Sequence, residues 1–136
     1  MKSLIVFTAL TSLNAAASSF NVGTYVGTLK VGNNETGKAC TVEVLSKSVS
    51  SQGAGCFKYI VSSKDLEIKN LDFEMRFDTV KGYDRSCSNR AHPEHIESKA
   101  KAYMVDDEGE KSVFINRMNF ILSHKVLNCH SLVQVK

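Results

Sequence analysis

Apolar and polar residues alternate most regularly over residues 66–77, LEIKNLDFEMRF. A period of two residues is typical of a β-strand with one buried face and one solvated face. The alternation slips once, at Lys69 and Asn70, and such a slip predicts a β-bulge or tight bend that keeps the apolar set on one face. We therefore expect a long, bent strand that places Phe73, Met75 and Phe77 in the core.

The same alternation predicts six further strands. We expect them at residues 23–31, about 39–46, 56–61, 96–105, 113–122 and 125–135. Turn-forming residues separate these stretches, and no helical period follows residue 20. The pattern predicts an all-β fold, a small antiparallel up-and-down β-barrel or half-open β-roll of about seven strands. In its general look it is similar to small secreted lipocalin-like barrels.

The longest stretch without periodicity is residues 79–94, which includes KGYDRSCSNRAHPE from Lys81. Loops of this length inside a small domain usually carry function or are mobile. Polar recognition side chains are concentrated here, so this loop is a candidate for binding a partner.

The N-terminus has the three zones of a secretory signal peptide. Lys2 is followed by a mostly apolar run at residues 4–13 and by small residues ending at Ala17, where we expect cleavage, with Ser19 as the alternative. The apolar run is too short to span a bilayer, which needs about 20 residues. We therefore predict a signal peptide over residues 1–17, a single all-β domain over residues 18–136 without a membrane anchor, and a secreted or periplasmic location.

The net charge does not alter the predicted fold or location. The chain has 17 basic and 14 acidic residues, a formal net charge of +3, and the two signs are interspersed. Such a balance does not favour nucleic-acid binding or a membrane-surface role.

The four cysteines predict two disulfides, because an even number of cysteines in an exported chain usually pairs. Three pairings are open, and we prefer Cys40–Cys56 with Cys87–Cys129. The strand phases place Cys40 and Cys56 on opposite faces, so this pairing requires one of them to lie outside the regular ladder.

Two groups of residues could hold a metal ion or contribute to catalysis. Cys87, His92, Glu94 and His95 form the densest group, and His124, Cys129 and His130 form a looser one. Oxidised cysteines and solvated histidines are the more frequent arrangement in an exported protein, so we predict no metal and no cofactor. The acidic run at residues 106–110 lacks calcium-site spacing and is interpreted as a solvated hairpin tip.

Candidate binding residues cluster on the predicted loop and the strand after it. Basic and imidazole side chains on this surface, with Tyr103 beside them, could contact an anionic partner. The candidates are Arg85, Arg90, His92, His95, Lys99 and Lys101.

Taken together, the sequence favours a non-enzymatic binding module. Small inward residues (Gly23, Gly27, Ala100 and Ala102) would leave room for a small apolar ligand, while the loop at residues 81–94 would instead suit an unidentified protein partner. The alternative is a small secreted hydrolase or metal-dependent enzyme that uses His92, His95 and His124. The chain contains no G-x-S-x-G, H-E-x-x-H or Gly-rich phosphate-binding motif.

Overall fold

The computed structural model describes residues 20–97, 99–118 and 124–135, and the regular elements within these ranges are all β-strands. They are β1 Gly23–Val31, β2 Asn34–Val49, β3 Phe57–Ser63, β4 Ile68–Asp78, β5 Tyr83–Ser86, β6 Glu94–Glu97, β7 Ala100–Asp107, β8 Glu110–Met118 and β9 His124–Gln134. The described ranges hold no helix that could span a membrane. The predicted signal peptide, residues 1–17, lies outside them.

The strands form one antiparallel sheet in the order β5-β4-β3-β2-β1-β9-β8-β7-β6. A further pair, Tyr83 with Asp107, joins β5 to β7 and closes eight of the strands into a barrel. β6 pairs with the first half of β7, along the part of the edge that β5 does not reach. The predicted all-β antiparallel barrel is confirmed, but the described sheet has nine strands and not about seven.

The additional strands come from two stretches whose pattern was misinterpreted. β5 lies inside the predicted loop at residues 79–94, and its inward positions are the buried polar residues Asp84 and Ser86, so it shows no apolar alternation. The strand predicted at residues 96–105 is in fact β6 and β7, because the chain reverses at Lys99, whose φ is 62°.

Inward-facing side chains fill most of the barrel. Phe73 and Met75 are buried as predicted, whereas Phe77 is only half-buried near the end of β4. The predicted bulge is also present, because Asn70 has a φ of 50° and β4 carries one extra residue against β3 at this point. The other large buried side chains include Tyr25, Val42, Val44, Tyr59, Val61, Leu66, Met104, Val113 and Ile115.

The two disulfides are Cys40–Cys129 and Cys56–Cys87, so the preferred pairing of Cys40 with Cys56 and Cys87 with Cys129 was wrong. Three of the four cysteines are buried, and Cys87 is half-buried. All four being bonded, none remains as a thiolate for a metal or for catalysis.

The Cys40–Cys129 disulfide joins the two strands that flank β1. The two Cα atoms are 5.9 Å apart, although strands separated by a third strand normally lie about 9.6 Å apart. Both ladders of β1 are irregular near Gly27, and a Cβ on Gly27 would overlap the carbonyl oxygen of His130. The missing side chain thus permits the tight coiling that brings the two cysteines together.

The Cys56–Cys87 disulfide follows from the register of β4. Cys56 comes directly before β3 and Cys87 directly after β5, and both strands pair with β4 at Met75. The strand phases alone could not indicate this, because the match depends on how two strands align with the one between them.

Phe20 closes one end of the barrel, which we call the closed end. Its ring is fully buried and packs edge-on against Tyr25 and Tyr59. The hydroxyl of Tyr25 accepts the backbone N–H of Asn21 at 2.7 Å and donates to its carbonyl at 2.9 Å. These bonds hold the residues before β1 over the end of the barrel.

The acidic β7–β8 hairpin lies at the same end, where Lys111 is over the Phe20 ring, and its tip at residues 107–110 is exposed as the sequence suggested. Glu108 and Gly109 both have positive φ, as a two-residue type I′ turn requires. Asp106, only 1% exposed, accepts the N–H of Gly109 at 3.0 Å and pairs with Lys111 at 3.2 Å. Asp106 is therefore a structural residue of the closed end.

Candidate functional site: a cleft at the open end of the barrel

The barrel wall is not continuous between β4 and β6. β5 pairs with β4 only from Met75 onwards, and β6 pairs with β7, so no ladder joins residues 68–73 of β4 to β6 within the described ranges. The two strands nevertheless approach to within 8 Å between Cα atoms. We call this discontinuity the seam.

A cleft of about 240 Å³ opens where the seam meets the end of the barrel opposite Phe20, which we call the open end. Its floor is apolar and consists of Ile68, Leu71, Ala102 and Ile115. Its rim is charged or polar and includes Glu67, Lys69, His95, Glu97 and Arg117, with Ala100 between rim and floor. An apolar base with a few polar groups around it is typical of small-molecule sites.

The small residues predicted to face inward differ in whether there is open space beside them. Ala100 and Ala102 line the cleft, so the room expected beside them is present. The space at Gly27 is taken by the His130 backbone and Leu132, and that at Gly23 by the side chain of Gln134. Room for a ligand therefore exists at the open end and not along β1.

One side of the cleft is a row of cross-strand neighbours on β7, β8 and β9. Ala100 is opposite Arg117, and Arg117 is opposite Lys125. Glu67, in the turn before β4, bridges the two cations: its carboxylate accepts Lys125 at 2.9 Å and its carbonyl accepts Arg117 Nη2 at 2.8 Å. The hydrogen bond and charge of Lys125 hold the pKa of Glu67 below its usual range.

His95 lies on the other side of the cleft and spans the seam. Its Nδ1 is 3.7 Å from Asp72 on β4, and its Nε2 is 3.8 Å from Glu97 on its own strand. Its ring also contacts Phe73 at 6.4 Å between centroids. Of the binding residues predicted from the sequence, His95 is one that lines the cleft.

Arg90 lines a second, more polar depression along the seam, of about 420 Å³. Arg90 pairs with Glu94, whose cross-strand neighbour Tyr103 stacks on Phe114 at 4.7 Å between centroids. The depression also contains Asp72 and Glu74, so its charge is mainly acidic.

The remaining predicted binding residues lie elsewhere on β5–β7. Arg85 pairs with Asp78 at 3.5 Å, and Lys101 lies on the exposed outer face of β7. Lys99 occupies the β6–β7 turn, next to the cleft residue Ala100. The basic patch that the sequence suggested thus includes two arginines whose charges are matched by carboxylates.

The histidines proposed for a metal or enzyme site have different surroundings. His92 packs on Tyr83 at 5.0 Å between ring centroids, and its Nδ1 is buried without a hydrogen-bond partner among the described residues. His124 begins β9, and its side chain is outside the described part of the chain. Within that part, no three side chains of His, Cys, Asp or Glu are grouped as metal ligands would be.

Arg117, like Glu67, Lys69 and Glu97, is a cleft residue that sequence reasoning missed. It shares the inward phase of Val113 and Ile115, which are both buried, but no residue of the strand predicted at residues 113–122 was selected as a site candidate. The in-phase position of a lone arginine at the end of an apolar strand was the signal that could have identified it.

No family model, curated protein or solved structure matches this chain.

Proposed function

We propose that this protein is a non-enzymatic binding module of an oxidising compartment, and that it takes a small, partly apolar ligand into the open-end cleft. The observation that carries the proposal is the cleft itself, an apolar floor beside Ala100 and Ala102 under a charged rim. Buried apolar surface supplies affinity in such sites, and a few polar groups orient the ligand.

The two disulfides support the compartment part of the proposal, because such bonds persist mainly in exported proteins. Together with the signal-like N-terminus they favour a secreted or periplasmic protein. The mass of the exported chain tests this point, and we expect it to begin at Ser18.

An enzymatic role receives less support from the same site. The cysteines are all oxidised, and among the described residues His92 and His95 lie next to aromatic rings and carboxylates. A histidine that activates a nucleophile needs a hydroxyl or thiol within hydrogen-bonding distance. Within the described residues these two histidines form no such pair, whereas His130, outside the cleft, lies 3.0 Å from Ser131 Oγ and 2.9 Å from the Glu35 carboxylate.

Recognition of a protein partner by the segment at residues 81–94 is the second candidate. The observation that favours it is the Cys56–Cys87 bond, which fixes this segment to the start of β3. Val80, at the edge of the segment, is 92% exposed and adds apolar surface beside it.

The primary proposal is tested by filling the cleft. Ala100→Leu places a larger apolar side chain at the cleft wall, and Ala39→Leu is the matched control because Ala39 is an exposed alanine on β2. We expect 1-hexanol to shift the backbone amide NMR signals of cleft residues in the wild type and in Ala39→Leu, but much less in Ala100→Leu. Shifts of equal size in all three proteins would place binding outside the cleft.

A further inference from the structure

We propose that the cleft selects a small organic anion, a monocarboxylate with a short apolar chain, and that Arg117 pairs with the carboxylate. This inference rests on the function proposed above and adds the chemical class of the ligand. It depends on three features of the cleft: a hydrogen-bond donor without a partner among the described residues, an excess of positive charge in the row of Arg117 and Lys125, and the size of the apolar floor.

The hydrogen-bond donor without a partner is Nε of Arg117. This atom is buried and has no hydrogen-bond partner among the described residues. Nη2 of the same side chain donates to the neutral carbonyl of Glu67 at 2.8 Å, and the Glu67 carboxylate, which is held by Lys125, interacts with the guanidinium only through its charge among the described residues. A buried donor on a charged group normally has an acceptor, and a ligand carboxylate entering the cleft would supply one.

The excess charge lies in the row that contains Arg117. Arg117 and Lys125 are directly opposite each other on β8 and β9, an arrangement that is unfavourable for like charges. The carboxylate of Glu67 is held by Lys125 at 2.9 Å, so one carboxylate serves two cations. A second carboxylate beside Arg117 would neutralise the remaining positive charge of the row.

The other charges of the rim do not cancel this excess at Arg117. Lys69 adds a further cation, and Glu97 lies 3.8 Å from the imidazole of His95 on the opposite side. The planar guanidinium is suited to a carboxylate because its N–H groups match two carboxylate oxygens.

The size of the cleft limits the ligand to a short chain. At about 30 Å³ for each water-sized group, 240 Å³ holds roughly eight non-hydrogen atoms. A six-carbon carboxylate has this size, with its chain over Leu71, Ala102 and Ile115. A peptide strand is too large, because a strand inserted between β4 and β6 would need them about 9.6 Å apart and they approach within 8 Å.

Three probes with the same six-carbon tail distinguish the contribution of the head group to binding from that of the chain. Hexanoate, 1-hexanol and hexylammonium are titrated into the full exported protein at matched ionic strength, and binding is followed by amide NMR shifts. We expect hexanoate to bind more tightly than 1-hexanol by about tenfold, the effect of one charge-assisted hydrogen bond, and hexylammonium to bind most weakly.

Two substitutions then assign the preference to Arg117. Arg117→Gln should remove the advantage of hexanoate over 1-hexanol, whereas the control Arg76→Gln, on the exposed face of β4, should keep it. Arg117→Lys keeps the charge but lacks Nε, so it should lose most of the advantage. It also serves as the test if Arg117→Gln does not fold.

The outcomes distinguish this inference from the proposed function. If 1-hexanol binds in the cleft as tightly as hexanoate, and Arg117→Gln leaves their ratio unchanged, anion selection is overturned while the binding cleft stands. If no probe shifts the cleft amides, the small-ligand function falls, and the anion inference falls with it.

Discussion

Phe73 and Phe77 lie on the same face of β4, but only Phe73 is inside the barrel. Phe73 is 1% exposed, whereas Phe77 is half-buried where β4 pairs with β5. Removing a fully enclosed ring leaves a cavity, while a ring at the edge can be replaced partly by water.

We therefore expect Phe73→Ala to lower the free energy of unfolding by about 3–5 kcal/mol. Phe77→Ala is the matched control and should cost less than half as much. Urea unfolding at neutral pH measures both, and a loss below about 1 kcal/mol for Phe73→Ala would contradict its place in the core.

Asp106 is a buried carboxyl group with opposing influences on its pKa. Burial raises the pKa, and it outweighs Lys111 and the Gly109 N–H, which both lower it. A carboxyl group whose pKa is higher in the folded state stabilises that state below its unfolded pKa, about 3.9, and this contribution is lost as pH rises through the folded pKa.

The change Asp106→Asn tests this sign, because the amide can still accept the Gly109 N–H but does not titrate. From pH 4 upwards, the wild type should lose stability relative to Asp106→Asn until the folded pKa is passed. Urea unfolding across this range measures the difference, with Asp107→Asn, an exposed neighbour, as the control. A difference that grows in favour of the wild type would mean that the Lys111 pair dominates.

Individual residues also show the limit of pattern-based prediction. The alternation located Phe73 and Met75 correctly, because burial and hydrophobicity coincide there. It missed Asp84 and Asp106, which are buried although polar. The partners of Asp106 lie in its own hairpin, at Gly109 and Lys111, whereas Asp84 interacts electrostatically with Lys47 of β2. Alternation could not identify either residue, because a charged side chain at an inward position interrupts the apolar pattern.

At the scale of elements, strand positions were more predictable than strand lengths. β1 has the predicted bounds, whereas β2 begins at Asn34 and ends at Val49, well beyond the predicted residues 39–46. The additional residues are mostly exposed and polar, and they are in the strand because β1 and β3 pair with them. The seam could not be predicted, because it arises where β5 is too short to cover β4.

The seam predicts uneven protection of backbone amides. β6 is bonded to β7 alone within the described sheet, whereas β1 lies between β2 and β9. In native-state hydrogen exchange, we expect β6 amides to exchange through local opening and β1 amides only near global unfolding. Equal protection of the two strands would indicate that β4 and β6 are joined in solution.

At the scale of the molecule, the barrel is a meander in which most neighbours are also sequential. Closure depends on two pairings that are not, β1 with β9 and β5 with β7. Alternation and turn signals predicted the meander, but closure depends on the coiling of the whole sheet. The Cys40–Cys129 disulfide was missed for the same reason, because it joins β2 to β9 across the β1–β9 pairing.

The position of Cys40–Cys129 has a consequence for the rate of folding. Tyr25 on β1 must find Gln134 on β9, and such distant pairings slow folding because a long loop has to close first. The disulfide links positions 89 residues apart, so in the oxidised chain Tyr25 and Gln134 are connected through a path of roughly 20 residues. Removing it by Cys40→Ser and Cys129→Ser should slow refolding from urea more than Cys56→Ser and Cys87→Ser, whose cysteines are 31 residues apart. Equal rates in stopped-flow refolding would mean that β1 and β9 pair after the rate-limiting step.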